Sequence, residues 1–495
     1  MQKIGGPRAL LLAAAALPLP LGLLIPQRLQ SRPTAMHPAL VVLLLLLLSP
    51  LAVAELDSSD FLRDGATEHL PPLPQFTNGT AGAHFSGVFK PSATDGKVAA
   101  GVVLQRAPQA AAVYGVVLPI TGKTGDTVAV TVVEASAREA AYTVSASVGP
   151  NGAWKALLKP TPAGGNYTIK AVCTTCASTT PDVISDATFG DVWFCAGQSN
   201  MWLVMHFQLE RNSTYAKVRA GDYSNIRMRT TANAPGLTGK DEELFIYPPP
   251  PPYMPQGGYP DGGWLKATAD NMDQQYPGTV DQFSAACWFF GQSLTDGWVE
   301  RGEPVIPLGL VTSNWGGTTV QQWTPLDSLG TCKNATGGTK VYNRTDLANG
   351  ALYSGMVRKR PFFAPFYTRK RSIYQDRLGT NIGKRCQKRR FVQVAPFVNM
   401  SIKGAVWYQG ENNVLECSEP GKGGSGGPHA CGSAAEDSGY GCNMQLLVSE
   451  WRKVWSATPG TTPADFPFGI VSLAAGTSEG HDGNMAVFRC ETYSS

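Results

Sequence analysis

The sequence predicts an α/β fold preceded by a β-sandwich, on three observations. Short β-branched runs separated by turn residues fill residues 83–188, which is typical of a sandwich. From Phe189 onward, apolar strands alternate with helical segments, which indicates an α/β sheet. Two of the later strands end in polar loops that contain glycine. Such loops can present side chains and backbone N–H groups at a sheet edge.

Residues 1–54 are predicted to be a leader, with the mature protein starting near Glu55. The apolar run 40–48 precedes Ala52-Val53-Ala54, a small-residue cleavage site. A further apolar run lies upstream, so either Met1 or Met36 is the start. We predict no membrane span after cleavage. The predicted organisation is leader 1–54, linker 55–82, sandwich 83–188, α/β domain 189–489, basic insert 357–393 and divergent tail 490–495.

Cysteines and glycosylation motifs predict a secreted protein or one in a lysosomal or endomembrane lumen. Some of the ten cysteines should form disulfides there, although their pairing cannot be read from the sequence. Cys173 and Cys176 lack the second half of a zinc site, so we prefer a structural role for them. The Asn-x-Ser/Thr motifs are predicted glycosylation sites: Asn78, Asn166, Asn212, Asn334, Asn343 and Asn399.

Apolar periodicity places the individual elements. In the sandwich the predicted strands are 102–104, 113–117, 128–133, 141–146 and 167–172. In the α/β region the predicted strands are 192–194, 305–312, 404–408 and 466–473, and the predicted helices are 283–298 and 446–455. The segments 247–263 and 417–442 are rich in glycine with proline or serine, and we expect loops there.

A serine follows the first of these α/β strands. Strand 192–194 runs into Gly197, and Ser199 comes two residues later. A hydroxyl at the end of a core strand can project from the sheet edge as a nucleophile. An ordinary turn serine bonded to its own backbone gives the same local pattern. The segment 404–413 repeats the design of an apolar strand and a polar loop, which favours the functional interpretation.

Three segments together resemble the conserved blocks of sialate O-acetylesterases. They are Gly190-Asp-Val-Trp-Phe-Cys-Ala-Gly-Gln-Ser-Asn-Met201, Asn314-Trp-Gly-Gly-Thr318 and Lys403-Gly-Ala-Val-Trp-Tyr-Gln-Gly-Glu-Asn-Asn413. The resemblance spans about residues 83–488 and implies an SGNH-type hydrolase with a flavodoxin-like, three-layer core. Met201 stands where the Gly-x-Ser-x-Gly motif needs its last glycine, which argues against lipase-like hydrolases.

The resemblance implies a serine esterase that removes an acetyl group from a sugar through an acetyl-serine. Ser199 is then the nucleophile. Its amide, Gly316 and the side chain of Gln409 or Asn413 form the oxyanion hole. The resemblance implies no metal and no cofactor, and its substrate is an O-acetylated sugar or glycan. Three further residues are assigned to the substrate loop, the last of them as a brace: Gln198, Asn200 and Glu411.

The expected general base is not apparent. A nucleophilic serine needs a histidine, which this family carries in an Asp-x-His-Pro-like element near its C-terminus. None of the six histidines lies in such an element. His481 beside Asp482 is a weak candidate, because its segment resembles one that precedes the family's catalytic histidine. We therefore expect the C-terminal end of the domain to be missing, and whether this chain is active stays open. The other histidines are His37, His69, His84, His206 and His429.

The insert at 357–393 carries many Lys and Arg but one acidic residue, Asp376. Without the insert and the leader the chain is acidic, so its net charge of +4 does not predict nucleic-acid or membrane binding. A retained intron and a genuine polybasic loop that binds an acidic partner both account for the insert.

Two alternatives to a sialate esterase stay open: an acetylesterase of polysaccharides such as xylan, and a non-catalytic glycan-binding protein.

Overall fold

A computed structural model describes part of the chain: residues 81–91, 100–118, 125–135, 142–149, 151–231, 263–272, 279–332, 351–354, 394–415 and 439–473. All of them belong to the unit Ser58–Ser495. The predicted leader, the basic insert 357–393, the tail 490–495 and His481 lie outside the described residues.

The described elements follow the predicted order of a β-rich half and an α/β half. The strands are β1 Gly82–Phe85, β2 Val103–Gln105, β3 Ala112–Leu118, β4 Thr127–Glu134, β5 Tyr142–Ser147, β6 Ala153–Leu157, β7 Gly164–Cys173, β8 Asp182–Gly197, β9 Ile226–Thr230, β10 Trp264–Lys266, β11 Leu308–Asn314, β12 Gly404–Tyr408 and β13 Phe468–Ile470. The helices are α1 Ser199–Trp202, α2 Arg211–Ala220, α3 Ala285–Glu300, α4 Val320–Trp323, α5 Ala351–Ser354, α6 Glu411–Leu415 and α7 Gly439–Trp455. Short 3₁₀ helices lie at Gly87–Phe89, Met205–Phe207, Ala269–Asn271, Leu326–Thr331 and Ala395–Phe397.

One long strand, β8, joins the two halves. Its first half pairs antiparallel with β7, and Asp191–Gly197 pairs parallel with β11. β12 pairs with the last residues of the same strand, from Trp193 to Gly197. The predicted domain boundary between residues 188 and 189 therefore falls inside a continuous strand. The strand that ends at the serine turn is anchored on both sides by hydrogen-bonded neighbours.

The parallel strands form the core of the α/β half. Their spatial order is β9-β11-β8-β12-β13, with β10 antiparallel beside β9. The predicted mixed α/β fold is confirmed. Numbered along the chain, the described parallel strands run 2-3-1-4-5, whereas flavodoxin-like folds run 2-1-3-4-5. The flavodoxin-like part of the prediction is therefore corrected, because β11 inserts between β9 and β8.

Helices cover both faces of this sheet. The ring centroids of Trp193 and Phe290 of α3 are 4.7 Å apart, and those of Phe194 and Trp451 of α7 are 5.7 Å apart. Successive side chains of a strand point to opposite faces, so α3 and α7 lie on opposite sides. Strands covered on both faces read as unbroken apolar runs, which explains why 192–194 and 404–408 were recognisable.

The β-rich half confirms the five predicted strands and adds β1 and β6. β1, β3 and β6 form a three-stranded antiparallel sheet. β4, β5 and β7 instead extend the large sheet beyond β8. That these strands make a separate β-sandwich domain remains a prediction.

Three disulfides link described cysteines. Cys173–Cys176 confirms the structural role preferred for that pair. Cys195 of β8 is bonded to Cys287 in the first turn of α3, and both are fully buried. Cys332 pairs with Cys442. Cys442, at the end of the predicted loop 417–442, is therefore bonded to a cysteine outside that loop.

Candidate active site

The turn after β8 positions Ser199 through a close approach of two strands. Gly197 has a φ of +154°, and a Cβ there would stand 2.0 Å from the carbonyl oxygen of Tyr408. Only glycine allows the ends of β8 and β12 to meet this closely. The next amide, that of Gln198, donates to the same oxygen at 3.0 Å. α1 then begins at Ser199, which is partly exposed at the carboxyl edge of the sheet.

The Gly316-Gly317 turn lies beside Ser199. The amide of Trp315 donates to the Gly197 carbonyl at 2.9 Å and ties this turn to the serine turn. A Cβ placed on Gly316 would stand 3.7 Å from Ser199 Cβ, and one placed on Gly317 would stand 4.0 Å from Asn412 Nδ2. The two glycines therefore line an open strip with the serine at one end and an asparagine amide at the other.

Gln198 connects the serine turn to the loop after β12. Its side chain is 1% exposed. Its Oε1 accepts from Gln409 Nε2 at 3.1 Å, from the Gly410 amide at 3.4 Å and from the Asn412 amide at 3.3 Å. Its Nε2 donates to Asn412 Oδ1 at 3.3 Å. Although predicted for the substrate loop, Gln198 contacts protein groups on every polar atom of its side chain.

Gln409 and Asn413, the predicted oxyanion donors, direct their amides into the protein. Gln409 Nε2 lies 2.7 Å from Asn413 Oδ1 and 2.8 Å from the Thr318 carbonyl. Asn413 Nδ2 donates to Gln321 Oε1 at 3.1 Å. Both side chains are buried, with exposures of 2% and 5%. Because these N–H groups already have protein acceptors, both residues hold the loop in place rather than face a ligand.

Asn200 and Glu411 form a second link across the site. Asn200 Nδ2 donates to Glu411 Oε1, and Glu411 is 2% exposed at the start of α6. That Glu411 acts as a brace for this loop remains a prediction. Tyr440 donates to the Gln409 backbone or side-chain oxygen, each at 3.1 Å. Burial, together with the Glu411 charge, raises the pKa of the Tyr440 hydroxyl well above its ordinary value.

Asn412 is the residue that sequence reasoning missed. It is partly exposed, between the buried Glu411 and Asn413. Its Oδ1 is occupied by Gln198, and within the described part of the chain no group accepts from its Nδ2. The sequence shows four polar side chains at 409–413 without signalling which one faces outward. Packing alone makes that distinction.

No described residue forms a hydrogen bond with the Ser199 hydroxyl or accepts from the amides of Ser199 and Gly316. His84 lies in β1. His206 has a structural partner, because its Nδ1 lies 3.2 Å from Asp281, which also accepts from Tyr215 at 2.6 Å. The other histidines, His37, His69, His429 and His481, lie outside the described ranges.

Several further predictions touch described residues. Asn166 and Asn212 are exposed, whereas Asn399 is partly buried and its Oδ1 accepts from Lys155 Nζ at 3.3 Å. Asn78, Asn334 and Asn343 lie outside the described residues.

Among the described residues, no cluster of three or more His, Cys, Asp or Glu could hold a metal ion. No helix in the described ranges is long and apolar enough to cross a membrane.

Comparison with known proteins confirms the predicted resemblance. No family model matches the chain. The chain is 28% identical to a rat sialate O-acetylesterase over 378 residues, covering 76% of this chain and 58% of that protein. It is 25% identical to the human sialate O-acetylesterase over 385 residues, covering 76% and 56%. The chain thus spans a little over half the length of these relatives. A carbohydrate acetylesterase from Xanthomonas citri aligns with a TM-score of 0.49 at 19% identity, over 83% of this chain and 66% of that one.

Proposed function

We propose that the protein is a serine-dependent carbohydrate O-acetylesterase of the SGNH type, acting on acetylated sialic acid or a related sugar. The observation that carries the proposal is the convergence of Ser199, the Gly316-Gly317 turn and Asn412 at one sheet edge. Similarity to sialate O-acetylesterases supports the reaction class and the sugar substrate. The β-rich half would act as a β-sandwich that supports the catalytic sheet.

The geometry suggests how the site would work. Ser199 Oγ attacks the acetyl carbonyl carbon, and the carbonyl oxygen becomes an oxyanion. The amides of Ser199 and Gly316, with Asn412 Nδ2, are donors without a described acceptor, and they would stabilise this charge. Removing one such donor typically costs about 10²–10³ in kcat. The sugar alcohol leaves, and water then releases acetate from the acetyl-serine.

The Ser199 proton needs a base, and the described histidines do not supply it. The Nδ1 atom of His206 lies within hydrogen-bond distance of the Asp281 carboxylate. Glu411 is held by Asn200. His481 is the candidate within this chain. Glutamine and asparagine carboxamides hold the nucleophile turn, and they neither take up nor release a proton near neutral pH.

We also infer that the protein acts in a secreted or lumenal compartment. Three disulfides among the described residues support this, because disulfides persist in oxidising compartments. The exposed sequon residues Asn166 and Asn212 are accessible for glycosylation on the described surface. Peptide mapping of the secreted protein after enzymatic deglycosylation tests both points.

Hydrolysis of 4-nitrophenyl acetate by the full chain tests the proposed function. We expect Ser199→Ala to abolish it and Ser293→Ala, at an exposed serine of α3, to leave it unchanged. Comparing acetylated sialic acid with acetylated xylan then identifies the sugar. Wild-type protein that is folded, hydrolyses no acetyl ester and still binds acetylated glycans would refute the enzyme proposal and establish the non-catalytic alternative.

A further inference from the structure

We propose that Gln198 is a positioning residue that sets which end of the Asn412 carboxamide faces the Gly316-Gly317 strip. The inference rests on the proposed function, in which Asn412 Nδ2 is a donor to the reacting carbonyl. It differs from a substrate-loop role, because the Gln198 side chain is 1% exposed. It would reach a ligand through Asn412 alone.

The orientation of the Gln198 carboxamide is set by the backbone. The amides of Gly410 and Asn412 both point at one atom of its side chain, at 3.4 and 3.3 Å. A backbone N–H can only donate, so the atom it meets must be the oxygen. Gln409 Nε2 donates to the same oxygen at 3.1 Å. The Gln198 nitrogen is therefore forced to the other side.

This nitrogen sets the orientation of the next carboxamide. Gln198 Nε2 lies 3.3 Å from the Asn412 side chain and donates to it, so the facing Asn412 atom is Oδ1. Nδ2 then lies at the opposite corner of the amide, 4.0 Å from the Cβ position of Gly317. If Asn412 were reversed, an acceptor would face the strip and would repel a developing oxyanion. Through the side chains of Gln198 and Asn412, the backbone amides of Gly410 and Asn412 thereby determine that a donor rather than an acceptor faces the strip.

The substitution Gln198→Glu separates this role from simple structural support. A carboxylate keeps the three N–H donors to its oxygen, and charge strengthens such bonds. Its second oxygen can no longer donate to Asn412, so it attracts Nδ2 and turns Oδ1 toward the strip. We expect the variant to stay folded, because the three N–H donors offset part of the cost of burying its charge. We also expect its kcat for 4-nitrophenyl acetate to fall about 100-fold, close to the loss in Asn412→Ala.

Gln292→Glu is the matched control. Gln292 Oε1 accepts from Thr214 Oγ1 at 3.1 Å and from Trp288 Nε1 at 3.0 Å, so a carboxylate can replace it. We expect wild-type kcat. The double variant Gln198→Glu with Asn412→Ala should be no slower than Asn412→Ala alone, because residues that act in series are not additive. Independent losses that multiply in the double variant would overturn the proposal, as would unchanged kcat in Gln198→Glu.

A readout without catalysis keeps this inference separate from the proposed function. In protein labelled with ¹⁵N-asparagine, the Asn412 side-chain NH₂ protons should show nuclear Overhauser contacts to the Gly317 α-protons. These contacts should disappear in Gln198→Glu and persist in Gln292→Glu. If the wild type hydrolyses no ester but the contacts behave in this way, the proposed function fails and the positioning role stands. Contacts that survive in Gln198→Glu refute the positioning role whether or not the wild type is active.

Discussion

The open space beside Ser199 gives the sharpest prediction, which is the substitution Gly316→Ala. The added methyl group would stand 3.7 Å from Ser199 Cβ and 3.9 Å from its Cα, and among the described residues it meets no other heavy atom within 4 Å. These are ordinary van der Waals distances, so the unfolding free energy should change by no more than about 0.5 kcal/mol. The backbone N–H of the residue is retained. The methyl group, however, occupies the space through which an acyl carbon must approach the Ser199 hydroxyl.

A displacement of about 1 Å from the reacting geometry can cost about 10²-fold in rate. We therefore expect kcat/KM for 4-nitrophenyl acetate to fall about 100-fold in Gly316→Ala, equivalent to ~2.7 kcal/mol of transition-state stabilisation. Gly469→Ala is the control, because among the described residues its Cβ would meet only the Ala405 carbonyl oxygen, at 3.8 Å, on a strand away from Ser199. Thermal unfolding of both variants confirms that they fold. Activity of Gly316→Ala within twofold of the wild type would show that the acyl group does not bind at this strip.

Three further predictions concern stability. Replacing both Cys195 and Cys287 by alanine opens a disulfide that spans 92 residues, so urea unfolding should show a loss of about 2–4 kcal/mol; an unchanged midpoint would contradict this. Trp451→Ala removes a fully buried indole and should cost about 3–5 kcal/mol in the same assay, and a loss below 1 kcal/mol would refute the packing described. Burial alone would raise the pKa of Asp186, but the hydrogen bond from Lys266 and other neighbours lower it overall. Its contribution is therefore present above its unfolded pKa of about 3.9 and is lost as pH falls through the folded value. Asp186→Asn should flatten the decline of stability in that acid range, and a slope equal to the wild type's would contradict it.

Predictions from the sequence succeeded where a pattern is local. The strands at 113–117 and 128–133 and the helix at 446–455 all exist, with ends displaced by up to a few residues, except that the helix starts seven residues earlier. Their periodicity follows directly from which faces are buried. The three motif segments also meet at one sheet edge, because β8, β11 and β12 are parallel neighbours. Parallel strands place their carboxyl ends together.

The prediction missed features that depend on distant partners. β9 was not predicted, and it contains Arg227 and Arg229, whose exposures are 9% and 0%. Arg227 donates to the carbonyl oxygens of Gly101 and Asp186 and forms an ion pair with the Asp186 carboxylate at 3.2 Å. Asp186 lies within β8 and has a φ of +53°, in the left-handed region. A buried arginine is tolerated only where such partners exist, and no window of the sequence reveals a partner 41 or 126 residues away.

The same limit applies to the active site, where most of the support consists of carboxamides, with Glu411 as a charged member. A carboxamide both donates and accepts, so a buried series of them can satisfy one another without the cost of burying an ion. The Val320 amide donates to Asn413 Oδ1 at 3.0 Å and sets that side chain, and Gln409 donates to the same oxygen. The Gly410 amide similarly sets Gln198. The orientation of each of these carboxamides is set by a backbone N–H, and the position of that N–H is fixed only when the loop is folded. The sequence shows which residues carry carboxamides, but only the fold determines which end of each carboxamide faces a ligand. Asn412 is therefore identified as the outward-facing donor only after its neighbours are seen to bond to other protein groups.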